Sequence, residues 1–213
     1  MFYNNPLRTN LVVRPTDYIL TSADVEPVLT LAEVKDYLRI ASGETAFDDN
    51  LTLLISTATT LCEKITGRDL ITKSYTAYLD CFPSTSGFIE IEKAKIQSIV
   101  SIAYYSNNIL TVFDSTTYYK TNSDNYSKVL LLEGNTWPST DKRAQAISMD
   151  LTVGYGPDPE NVPGALKRAL LANIAALYAN VGDCGDCTGF EAGSQAIQLY
   201  QPFVISNLLF SVV

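Results

Sequence analysis

Histidine is absent from all 213 residues, and with it go the Ser-His-Asp and Cys-His nucleophiles, imidazole acid-base catalysis and every histidine metal site. No Gly-x-x-x-x-Gly-Lys-Ser/Thr loop occurs, which excludes nucleotide-driven packaging, and Gly154-Tyr-Gly156 lacks the third glycine and acidic partner of a dinucleotide loop. Basic residues are scarce. The 15 Lys and Arg stand against 23 Asp and Glu, a net charge of -8 that argues against a conventional duplex-gripping surface, although an acidic wall can let DNA pass. No apolar run approaches the roughly 20 residues that cross a bilayer, so no membrane partner is expected. The start, Met1-Phe-Tyr-Asn-Asn-Pro6, lacks the basic and apolar regions of a secretory signal, and synthesis and folding in a cytoplasm are expected. Four cysteines are too sparse for a disulfide scaffold in a chain this long, and reduced thiols are expected.

What is present suffices for one sizeable core, since 46% of the residues are hydrophobic. Thr30 and Glu33 form a capping box, and Leu31, Val34 and Leu38 recur at helical spacing behind it. Asp48, Asp49 and Asn50 offer caps for a second helix, whose stripe runs through Leu51, Leu54, Ile55, Ala58, Leu61, Cys62 and Ile65 to a left-handed stop at Gly67. A third helix follows Asn161-Val-Pro163, with Leu166, Leu170, Ile174, Leu177 and Val181 as its stripe and Gly182 at its end. These positions are the expected helix-packing residues. The predicted fold is α+β, a helical core of two N-terminal helices plus a long C-terminal helix, with an inserted antiparallel β-rich subdomain at about 72–156.

Residues 1–28, with Pro6, Pro15 and Pro27, read as an extended N-terminal arm that Val12, Val13, Tyr18 and Ile19 could pin. Inside the β section, Phe88 to Glu92 alternates, Ile96 to Tyr105 and Ile109 to Phe113 flank Asn107-Asn108 as a hairpin, and Val129 to Glu133 and Ile147 to Val153 add strands. Tyr104, Tyr105, Tyr118, Tyr119 and Trp137 lie there, and sheet packing explains them better than a sugar-binding or nucleobase-stacking surface.

Three patterns invite chemistry. Cys184-x-x-Cys187 has zinc or redox spacing, but four zinc ligands would require Cys62 and Cys81 or a second subunit, and incidental thiols in a loop are expected. Asp48-Asp49 and the pair Asp158 and Glu160 sit beside a helix start and among prolines, as caps and turn formers do. No catalytic residue, metal site or cofactor is expected.

Several features taken in order carry a resemblance: Leu29-Thr-Leu-Ala-Glu-Val-Lys-Asp-Tyr-Leu-Arg-Ile40, a second helix ending at Thr66-Gly67-Arg68, a β insertion with Trp137-Pro138 before its last strand, then Gly154-Tyr-Gly156, Val162-Pro163 and an alanine-rich helix. This order resembles the phage head-tail connector (adaptor, head completion) family over roughly residues 29–182, which would be the connector domain. The resemblance implies a non-enzymatic ring, often twelvefold, that docks under the portal protein, extends the DNA channel and provides the tail attachment site. Its partners would be further copies of itself, the portal, a stopper or tail-completion protein, and DNA sliding through the lumen without sequence-specific binding. It would reside in the virion neck after assembly in the host cytoplasm.

The first 28 residues and the tail after Gly193 depart from the family pattern, and both are candidate partner arms; residues 183–213 read as a loop and C-terminal tail. From Tyr200 to Val213 no side chain is charged, and Tyr200, Phe203, Val204, Leu208, Leu209, Phe210 and Val212 are the candidate contacts to portal or a neighbouring subunit, against packing back on the chain's own core. The alternatives are a neck stopper or tail-completion ring protein, a carbohydrate-binding virion β module, and a cell-wall hydrolase working through carboxylates.

Overall fold

A computed structural model describes residues 12–23, 26–84, 87–93, 95–123, 126–179 and 198–205. The chain divides into two compact units, one of residues 1–23 with 72–154, the other of residues 24–71 with 155–213.

The first unit is a pair of packed sheets. Its strands are β1 (Val12–Val13), β2 (Asp17–Ala23), β3 (Lys73–Leu79), β4 (Phe88–Ile91), β5 (Ile96–Ser106), β6 (Ile109–Val112), β7 (Tyr118–Asn122), β8 (Ser127–Leu131) and β9 (Ile147–Val153). A four-stranded sheet has the order β1-β4-β8-β7 and a five-stranded sheet the order β2-β3-β9-β5-β6. Alternation explains the packing. Tyr75, Ala77 and Leu79 of β3 and Ile147, Met149, Leu151 and Val153 of β9 point inward onto Ile89 and Ile91 of β4 and Val129 of β8, forming one continuous core. The outward residues of β9, Ser148, Asp150 and Thr152, are polar. Asp150 accepts from Thr76 Oγ1 at 2.6 Å and from Ser101 Oγ at 2.9 Å across three strands.

β5 and β6 are joined by Asn107 and Asn108, both left-handed at φ 53 and 61, as a two-residue hairpin turn demands. The carboxylate of Asp141 accepts from both of their amides at 2.8 Å, which holds the turn from outside the hairpin.

The second unit contains α1 (Leu31–Leu38), α2 (Asp48–Thr66) and α3 (Gly164–Ala179). Thr30 Oγ1 accepts from the Glu33 amide at 3.2 Å and the Glu33 carboxylate accepts from the Thr30 amide at 2.7 Å, so the capping box is closed in both directions. Arg39 at φ 60 ends α1, and Gly67 at φ 70 ends α2 with its amide on Glu63 O at 2.9 Å. Val34, Leu51, Ile55, Ala58, Cys62, Leu166, Ala169, Leu170 and Ile174 pack into a single core from all three helices.

The expected fold class is corrected by this architecture. The described residues are mostly β, nine strands in two sheets beside α-helices of only 8, 19 and 16 residues, and they form no helical connector core with a long C-terminal helix. The physical reason is non-local pairing. β1 aligns in parallel with β4 through Val12 to Phe88, and β2 pairs antiparallel with β3 through Tyr18 to Ala77, partners that no local period announces. The sheets therefore draw strands from before the first helix, and the β-rich portion is a compact unit rather than an insertion between helices.

Candidate functional site

The described C-terminal segment is tied to the end of α2. The Ile205 amide donates to Thr66 O at 3.1 Å, and Arg68 Nε donates to the carbonyl of Phe203, with Arg68 itself buried. Tyr200 is 0% exposed and sits in the helical core, where Asn173 Nδ2 donates to its hydroxyl at 3.5 Å. Burial, then the nearby Cys62, raises the pKa of that phenol, and burial with the charge of Glu63 pushes the Cys62 thiol up to about 12. Cys62 is thus a packed, protonated thiol at neutral pH.

Of the candidate tail contacts, Tyr200 therefore belongs to its own unit's core rather than to an outward face. Phe203 is partly buried against the same core and Val204 is half-buried. Leu208, Leu209, Phe210 and Val212 lie outside the described residues. Among the helix-packing positions, Val34, Leu166, Leu170 and Ile174 are fully buried together, while Leu31, Leu38 and Leu54 pack partly exposed against them. Leu177 is half-buried.

The patterns that invite chemistry are structural where they are described. Asp48 pairs with the buried Lys35 Nζ at 2.5 Å, and the same ammonium donates to Glu44 O at 2.7 Å, which closes the α1 to α2 connection. The Asp158 amide donates to Asn161 Oδ1 at 3.2 Å in the turn that leads to α3. That turn also explains Gly156, because a Cβ there would stand 2.2 Å from Asn161 Oδ1. Cys184 and Cys187 lie outside the described residues, and among the described ones no group of three His, Cys, Asp or Glu could hold a metal ion. The aromatic residues are mostly packed. Trp137 stacks on Phe82 at 5.0 Å between ring centroids and Tyr118 on Phe113 at 5.6 Å, whereas Tyr105 lies under the Arg143 guanidinium at 4.1 Å.

Besides Leu53 of α2 and Val100 of β5, exposed large apolar side chains gather at the two edges of the five-stranded sheet. On β6, Ile109, Leu110 and Val112 are 64%, 54% and 70% exposed, and on β2 Ile19 and Leu20 are 49% and 52% exposed. The signal available in the sequence was an uncharged run from Asn107 to Phe113, which hairpin propensity explains equally well.

No protein-family model matches the chain. No curated protein matches it either. Solved structures do. A chain in the neck of an empty gene transfer agent (GTA) particle computed with C6 symmetry superposes with a TM-score of 0.69 at 18% identity, covering 88% of this chain and 95% of that one. A chain in the virion of a native GTA particle gives 0.69 at 17% identity, covering 88% and 94%. A chain in the neck of a native GTA particle computed with C12 symmetry gives 0.63 at 17% identity with the same coverage. The protein described here is thus similar in fold, over most of its length, to a chain found in GTA necks and virions.

Proposed function

We propose that this chain is a structural, non-enzymatic neck protein of a tailed-phage-like particle, and within the neck the head-tail adaptor. Copies of it form a ring under the portal, extend the DNA channel and provide the surface on which the stopper or tail-completion protein is seated. The observation that carries the reading is the fold shared with GTA neck chains across 88% of this chain, at nearly full coverage of those chains. The C6 and C12 symmetries of those necks support a cyclic arrangement, and the resemblance in element order supports twelve copies.

The residues agree with this role in two ways. The net charge of -8 suits a channel through which DNA slides unheld. The clamp of Arg68 on Phe203 O and of Thr66 O on the Ile205 amide fixes the start of the uncharged segment ending Leu208-Leu-Phe-Ser-Val-Val213, which we assign as the contact to portal or a neighbouring subunit. The particle would be assembled in the host cytoplasm and the protein retained in the virion neck.

Deleting the gene and imaging the lysate by electron microscopy tests the reading. Separated heads and tails are expected, and normally joined particles would overturn it. Capture of the portal by the purified chain is expected as well. Capture of the tail-completion protein without the portal would move the chain to the stopper position in the same neck.

A further inference from the structure

The two sheets of the first unit treat their edges differently. In the four-stranded sheet, edge strand β1 runs into Arg14, which pairs with Glu90 at 2.8 Å and Glu92 at 3.0 Å. The opposite edge, β7, carries Lys120, whose ammonium donates to Ile96 O at 2.9 Å. Edge charges, prolines and bulges are devices by which sheets refuse further pairing. The five-stranded sheet lacks them on β6, which has no charge, no proline and an unbroken register from Ser106–Ile109 to Ala103–Val112. Its other edge, β2, carries one acid, Asp17, at its start and one irregularity between Leu20 and Ser22.

The polarity of β6 can be read from its ladder. Phe113 donates its amide to Ile102 O at 2.7 Å, so by alternation Thr111 and Ile109 also face β5. Leu110 and Val112 therefore turn their N–H and C=O groups outward, and among the described residues no strand pairs with them. Adjacent residues project to opposite faces, so a strand added here would bury apolar side chains on both sides of the sheet.

We infer that β6 of one copy pairs with β2 of the next, continuing the five-stranded sheet from subunit to subunit. This rests on the ring reading above. A ring requires two different, mutually complementary surfaces on each subunit, and the sheet supplies one at each end, both apolar, with Asp17 the only charge between them. Direction agrees too. Each neighbouring pair in β2-β3-β9-β5-β6 is antiparallel, so β2 and β6 run the same way. A neighbour generated by rotation about an axis along the strands presents its β2 parallel to β6. An isologous two-fold pair would set β6 antiparallel to β6 and leave β2 uncovered.

Two full-length chains test the pairing, one carrying Ile19→Cys and the other Val112→Cys, on a background with Cys81, Cys184 and Cys187 replaced by serine. Mild oxidation of their mixture is expected to give the mixed cross-link, with neither chain cross-linking to itself. Sedimentation of Leu110→Lys and Val112→Pro should show self-association weakened about tenfold or more, with Trp137 fluorescence confirming that the sheets still fold. Self-cross-linked Val112→Cys overturns the inference in favour of the two-fold pair. Wild-type oligomers indifferent to both edge variants, or a wild-type chain that stays monomeric and never cross-links, overturn it too. The ring reading is judged separately, by whether heads and tails join.

Discussion

Arg68 reaches across 135 residues of sequence to donate its Nε hydrogen to the carbonyl of Phe203, binding the end of α2 to the last described stretch of the chain. Lysine would not reproduce this contact, because it offers a point charge where arginine offers a planar fork. The contact therefore depends on this residue type.

Arg68→Met should free that carbonyl and lower stability by about 1.5–3 kcal/mol, the range for a hydrogen bond to a charged group. At roughly 2–4 °C per kcal/mol for a chain of this size, the midpoint of thermal unfolding should fall by about 3–12 °C. Limited proteolysis is the companion measurement, and cleavage near residue 200 should appear before any other site. An unchanged digestion pattern would show that the Thr66 and Tyr200 contacts hold the segment without Arg68.

Tyr200→Ala should cost about 3–5 kcal/mol, because it empties a fully buried aromatic site among Cys62, Asn173 and the helix stripes. Tyr200→Phe removes only the hydroxyl and should cost about 1 kcal/mol. Portal capture should be unaffected by Tyr200→Phe. Loss of capture at preserved stability would return the hydroxyl to the contact surface.

Stability should decline in alkali. The Cys62 thiol is raised from 9.0 in the unfolded chain to about 12 in the fold, so the folded state holds its proton longer. The stabilisation from keeping that thiol neutral is fully present below pH 9 and is lost as pH rises from there through about 12. Tyr200, raised in the same sense, adds to the slope. Cys62→Ala should flatten the decline in denaturant midpoint between pH 9 and 11, and an unchanged slope would assign it to other groups.

Gly156→Ala should destabilise the turn into α3, since the added methyl would stand 2.2 Å from Asn161 Oδ1 and 2.7 Å from Asn161 Cβ. Asn161→Ala should rescue it only in part, because the Cβ remains, and Asn161→Gly should rescue it more. Unfolding midpoints of the single and double variants measure this coupling. Simple additivity would mean that the turn shifts instead of clashing.

Trp137 is the sole tryptophan, stacked on Phe82 with its indole N–H donating to Gly87 O at 3.3 Å, so intrinsic fluorescence reports the packed sheets specifically. Trp137→Ala should cost about 3–5 kcal/mol. Helical signal surviving after the tryptophan signal has moved would show that the two units unfold as separate cooperative blocks.

Much of the local structure was legible beforehand. The Thr30–Glu33 box, the Gly67 stop and the Asn107-Asn108 turn are each determined by residues within a few positions of one another, and each is formed as read. The balance of the fold was not legible. Val12–Val13 and Asp17–Ala23 lie in a proline-punctuated stretch without sustained period, and they become strands only because β4 and β3 offer ladders more than fifty residues away. The burial of Tyr200 was not legible for a related reason. An uncharged aromatic tail looks like an exposed arm until the core that receives it is known.

The sequence by itself determined the caps, turns and alternations, together with the absence of histidine chemistry, because these follow from residue type and short-range geometry. Tertiary structure alone decided that the β strands assemble into two packed sheets and that β6 and β2 form the ends of one of them, with no further strand paired to either among the described residues. Pairing partners distant in sequence are chosen by the burial of whole faces, and no local window contains that information.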